Sequence, residues 1–247
     1  MIEDRKAGTS LFESYRSKFI HNCSGPLPQH VSLLDSLFSE FSDALDDAEH
    51  LTSARLLHIA FGSWRSSVML TLSGAAAQVP TLLRHCIECA FYAYLFSKDK
   101  EWEALWWDRE VDQNAKRKLR AGREGPLSAA RNALGKEDKQ LLDRVNSTID
   151  MLIDYGAHPN IFQLVSASED ERGDDRLTYK TFLLGQDEER VRCFVKTGVT
   201  GIDVLSILDR IWPIRFGACR GHEIITEAAG QLGLYIQANR PFEKRQA

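Results

Sequence analysis

The chain has 247 residues, 43% hydrophobic and 27% charged, which suffices for a sizeable core and excludes a disordered chain. Its formal net charge of −4 gives no global attraction to nucleic acid or to an anionic membrane, so either partner would need a local patch. The N-terminal stretch has no apolar leader region, no run reaches membrane-span length, and five scattered cysteines do not make a secreted disulfide framework. The expectation is a reduced, cytosolic protein with no membrane partner.

In chain order, Leu11, Tyr15, Phe19 and Ile20 predict a short helix that docks on the core. Gly25, Pro26 and Pro28 break it. Apolar residues at helical spacing then predict a helix over 29–47, through Val31, Leu34, Phe38, Phe41 and Leu45. A second follows over 52–72, through Leu56, Ala60, Trp64, Val68 and Leu72. Gly74 and Pro80 bracket the turn into a third. From Val79 to Phe96 this third helix is apolar on almost every side, which places it at the centre of the fold.

The chain restarts at Asp99, a helix-capping residue, and is expected to stay helical to the basic cluster before Gly122. A short helix is expected over 127–134, ending at Gly135, and another helix over 137–154, ending at Gly156. Residues 157–200 read as a loop or hairpin insertion, with strands expected over 176–184 and 189–196. Helices resume over 200–216, kinked or ended at Pro213, and over 222–238. The fold class is all-α. The expectation is one domain over 1–247, an antiparallel bundle of about six to eight helices with one irregular or β-hairpin insertion near 166–198.

One charged pair stands out. Arg84 and Glu88 lie four apart on the central apolar helix, and an ionised side chain in a core is costly unless paired. The five donors of an arginine exceed what Glu88 can accept, so a third polar group is expected. His158 and Asn160, after a helix end, are the candidates, with His158 as an acid–base group or phosphate ligand. The plainer readings are a structural ion pair and a loop-anchoring histidine. His85, Cys86 and Cys89 lack a second ligand pair, and the two cysteines read as small buried thiols in the core, so no metal and no cofactor are expected.

Trp102, Trp106 and Trp107 read as core or dimer interface, or else as a stacking pocket for a flat ligand. Lys116, Arg117, Lys118, Arg120 and Arg123 form the one strongly positive run and could follow an RNA backbone. The plainer reading is a solvated helix end that complements the helix dipole. No phosphate-binding glycine loop, nucleophile elbow or zinc-protease motif is present in the sequence.

The residues Gly74, Pro80, Arg84, Glu88, Phe91, Tyr94 and Leu95, followed downstream by Tyr155-Gly-Ala-His158-Pro159-Asn160, resemble a group of bacterial all-helical proteins. Those in turn resemble the HEPN superfamily, and the likeness spans residues 50–165. It implies a helical bundle, often dimeric, and sometimes a metal-independent ribonuclease. The ribonuclease members carry an arginine separated by four to six residues from a histidine. Here Arg16…His21 and Arg215…His222 have that spacing, although Pro213, Gly217 and Gly221 interrupt the helix around the second pair. Two expectations follow. One is a binding or assembly module, homodimeric, with a buried polar node at Arg84, Glu88 and His158. The other is a ribonuclease in which His222 moves protons and Arg215 stabilises phosphorane charge.

Overall fold

The computed structural model describes residues 11–157, 168–172, 177–181 and 187–239. Eleven α-helices lie among the described residues. They are α1 (Leu11–Cys23), α2 (Gln29–Asp43), α3 (Leu51–Ser73), α4 (Val79–Lys98), α5 (Lys100–Asp108), α6 (Gln113–Leu119), α7 (Pro126–Glu137), α8 (Lys139–Leu152), α9 (Asp187–Asp209), α10 (Pro213–Ala218) and α11 (Gly221–Ala238). The chain is an all-α bundle.

Helix α4 is the hub. It packs on α3, α5, α7, α8 and α9. Burial on most of its sides accounts for this: Leu83, Cys86, Ile87, Ala90, Phe91 and Phe96 are fully enclosed, and one flank stays partly open. Each large apolar side chain so enclosed contributes roughly 1.5–3 kcal/mol. Polar side chains then fix how the neighbours lie. Ser53 donates to the carbonyl of Ala93 at 2.7 Å and the Cys86 thiol to that of Ala60 at 3.1 Å, so α3 and α4 run antiparallel. The Trp64 indole donates to the carbonyl of Thr197 at 3.0 Å, which ties α3 to α9.

Local signals explain most boundaries. Gly74 takes φ 90 behind α3, and Gly156 takes φ 125 in the π-helical turn Ile153–Ala157 after α8. Asp99 accepts from the amides of Glu101 and Trp102 and starts α5.

Several expectations are corrected. The helix expected to run unbroken from Asp99 to the basic cluster is two, because Asp112 caps α6 through the amides of Asn114 and Ala115. Gly135 does not end α7. A side chain there would meet Leu142 at 2.7 Å, so this glycine serves the close approach of α7 and α8, and Asp138 caps α8. The insertion is shorter than expected. Its hairpin pairs Ser168–Arg172 antiparallel with Leu177–Thr181, and residues 189–196, expected as a strand, belong to the 23-residue α9. Glu189, Cys193, Lys196, Thr197 and Thr200 are buried there at helical spacing.

Helix α1 rests on α3 through Asn22, whose side chain donates to the carbonyl of Ser73 at 2.8 Å. Its Phe12 and Ile20 stay exposed, so the docking is partial. No helix among the described residues is long and apolar enough to cross a membrane.

Candidate functional site

Arg84 and Glu88 pair as the spacing requires, Nε to Oε1 at 2.9 Å. Their side chains are 32% and 31% exposed, so the pair lies on the flank of α4 and is not a buried node. The wheel is right about the pair and wrong about its depth, since no helix among the described residues fully covers that flank. One turn further along the same stripe is Tyr92, which is half-buried. Burial, and then the charge of Glu88, push its hydroxyl up from the ordinary tyrosine value, while Arg109 pulls it down. Glu88, Tyr92 and Arg109 therefore share one electrostatic neighbourhood.

Helices α5 and α6 complete that neighbourhood. Trp106 of α5 packs on Phe96 of α4 with ring centroids 5.9 Å apart, and Tyr92 packs on the same Phe96 at 5.7 Å. Ala115, fully buried, lets α6 sit close to its neighbours. Arg109 lies over the Trp106 ring at 4.7 Å, and Lys118 over Trp102 at 5.0 Å. A pocket of about 230 Å³ opens between these elements, lined by Tyr92, Trp106, Arg109, Glu110, Lys116, Leu119 and Arg120. Beside it lies a shallower concavity of about 540 Å³, lined by Gln113, Lys116, Arg117, Arg120 and Ala121. Lys116 and Arg120 belong to both, so the two form one surface.

Positive charge is in excess on this surface. Among the described residues, Lys116, Arg117, Lys118 and Arg120 form no ion pair with a carboxylate, whereas Arg109 donates to Glu110 at 3.1 Å. Arg123, the fifth member of the basic run, falls in the short 3-10 turn Gly122–Glu124. The tryptophans divide as the helical wheel suggests. Trp102 and Trp106 pack against the core, and Trp107 is half-exposed with its indole N–H on the Thr52 hydroxyl at 3.3 Å.

The other candidates lie elsewhere. His158 and Asn160 fall outside the described residues. Cys86 and Cys89 are buried, and burial pushes the Cys89 thiol up to about 12, so both are core thiols. Arg215 donates to the carbonyl of Ala44 and to Asp47, both at 2.6 Å. His222 is placed differently: its Nε2 is 3.3 Å from Asp209 and its ring lies edge-on to Phe216. The break foreseen between them is there, with Arg220 at φ 53 separating α10 from α11.

Two buried charged clusters were not foreseen. Asp203 of α9 has no exposed surface and accepts from Arg144 Nε and Thr148 Oγ1 of α8, each at 2.6 Å. Its signal was an acid inside an apolar stripe, between Thr200 and Val204. Lys196, 4% exposed, sits 3.6 Å from Glu189 and 3.9 Å from the centre of the Tyr155 ring. Reading 189–196 as a strand hid it, because only helical spacing puts Lys196 on the inward face of α9.

Comparison with protein-family models, with curated proteins and with solved structures finds no match to this chain.

Proposed function

We propose that this chain is a binding module for a polyanionic strand, a nucleic acid, and that α6 with the end of α5 carries the contact surface. One observation carries the reading. Three cations on one short helix and a fourth, Arg120, at its C-terminal cap have no carboxylate partner among the described residues, in a chain whose net charge is −4, beside a pocket walled by Tyr92 and Trp106. Stacking walls next to a cationic shelf suit a strand that offers both bases and phosphates. The resemblance to HEPN-type bundles accords with this reading. Five free cysteines, four of them buried, support a reducing compartment such as the cytosol. Exposed Trp107 and Val111 at the α5–α6 turn support a second copy of the chain as a further partner, which sedimentation equilibrium tests.

The test is fluorescence anisotropy with a labelled single-stranded RNA, using the wild type and the Lys116→Glu/Arg120→Glu double variant. Binding in the wild type and its loss in the folded variant support the proposal. Equal binding by both overturns the assignment to α6, and no binding by either overturns the function.

A second reading, a metal-independent ribonuclease, is supported by the approach of His222 to Asp209, since a carboxylate can orient a histidine for proton transfer. That reading requires Arg215 to leave Asp47. RNA cleavage without metal by the wild type and not by folded His222→Ala supports it, and no cleavage by either removes it.

A further inference from the structure

We infer that the pocket between α4, α5 and α6 accepts a single nucleobase and prefers guanine. The inference rests on the nucleic-acid reading above and names the part of the ligand that enters.

Size comes first. About 230 Å³ is below the roughly 300–1,000 Å³ of sites that enclose drug-sized ligands, so one ring system fits and a base pair does not. Bases of an unpaired strand are free to turn into such a pocket, while those of a duplex must first be unstacked. The walls suit a flat ring. Tyr92 and Trp106 line it, and the guanidinium carbon of Arg109 lies over the Trp106 indole, 4.7 Å from the ring centre. A guanidinium plane supported in this way is itself a stacking surface for a base.

Selectivity comes from Glu110, the one carboxylate in the lining among the described residues. Its Oε1 accepts from Arg109 Nε at 3.1 Å, which holds the group beside the stacking wall. An ionised carboxylate only accepts hydrogen bonds. Guanine presents two adjacent donors on its pairing edge, the ring N1–H and the exocyclic amino group, and both oxygens can be used at once. Adenine and cytosine place a ring-nitrogen acceptor beside their amino donor, and uracil flanks its single N–H with two carbonyls. Each of these sets an acceptor against the carboxylate. Lys116 and Arg120, shared with the basic shelf, then lie where the phosphate leaves the pocket.

The experiment is isothermal titration calorimetry of the full chain at low salt with GMP, AMP, CMP, UMP and inorganic phosphate. It is repeated on Glu110→Ala, a change at a side chain 72% exposed that leaves the core untouched. GMP is expected to bind roughly tenfold tighter than the other nucleotides, and Glu110→Ala to abolish that difference. Equal binding of the four nucleotides overturns the inference, as does binding no tighter than phosphate or unchanged GMP preference in Glu110→Ala. If oligonucleotide binding through α6 persists in any of these cases, only the base pocket fails. If oligonucleotides do not bind either, the functional reading falls with it.

Discussion

Thr148 and Asp203 meet across the α8–α9 contact, the threonine hydroxyl donating to a carboxylate that has no exposed surface, at 2.6 Å. Burial raises the Asp203 carboxyl above its ordinary value, while Thr148 and Arg144 lower it. Thr148→Val leaves a buried acceptor short of one donor and is expected to cost about 1–3 kcal/mol. Arg144→Met removes the only cation on Asp203 among the described residues; because Arg144 is half-exposed, the cost is about 2 kcal/mol and not the full penalty of a buried pair. Urea denaturation of both variants measures these losses, and unchanged midpoints would refute them.

The Arg84–Glu88 pair behaves differently. With about a third of each side chain in solvent, it is screened, and Arg84→Met or Glu88→Gln is expected to shift stability by no more than about 1 kcal/mol. Thermal melts decide this. A loss of several kcal/mol would mean that the flank is covered.

His30 makes the pH prediction. It is buried between α2, α9 and α11, with Nε2 3.2 Å from the carbonyl of Phe194 and its ring 5.1 Å from that of Tyr235. Burial lowers its pKa from the ordinary 6.5, against the opposing pull of that carbonyl. The neutral ring is the form that fits, so its stabilisation is full above about pH 6.5 and is lost as pH falls through the lower folded value. Denaturation midpoints between about pH 7.5 and 5.5 should fall in the wild type and fall less in His30→Gln. Equal slopes would rule His30 out as the source.

Two glycines make opposite predictions. A side chain at Gly201 would meet the Trp64 indole nitrogen at 2.8 Å and Leu34 at 3.1 Å, so Gly201→Ala is expected to cost about 1–3 kcal/mol. Gly62, inside α3 and exposed, has nothing within 4 Å of a built side chain, so Gly62→Ala is expected to gain about 0.5–1 kcal/mol. Calorimetric melting of the two variants should move in opposite directions.

The hub was legible because an apolar face can be read directly from spacing: Leu83, Ile87, Ala90 and Tyr94 are buried where the wheel puts them. Caps were legible where a side chain does the work, as at Asp99. Asp112 was not, because a continuous charged sequence across it looks helical on both sides of the cap. A strand is expected at the start of α9 because Val191, Phe194 and Val195 carry strand preference, and packing against α2, α3 and α4 overrides it and makes it helix instead. For the site, the aromatic and basic residues were each visible as separate runs. What no linear pattern supplies is that the turn between α5 and α6 brings Trp106, Arg109 and Lys116 to one pocket with Tyr92, from a different helix.

The salt dependence of single-stranded RNA binding tests the central claim most directly. Four cations that release counterions from a single strand predict a slope of log K against log salt of about −2.8, from roughly −0.7 per phosphate contact. Neutralising two of them in Arg117→Gln/Arg120→Gln should bring the slope to about −1.4 while circular dichroism stays unchanged. A slope near zero, or one that the double variant leaves where it was, would contradict the account.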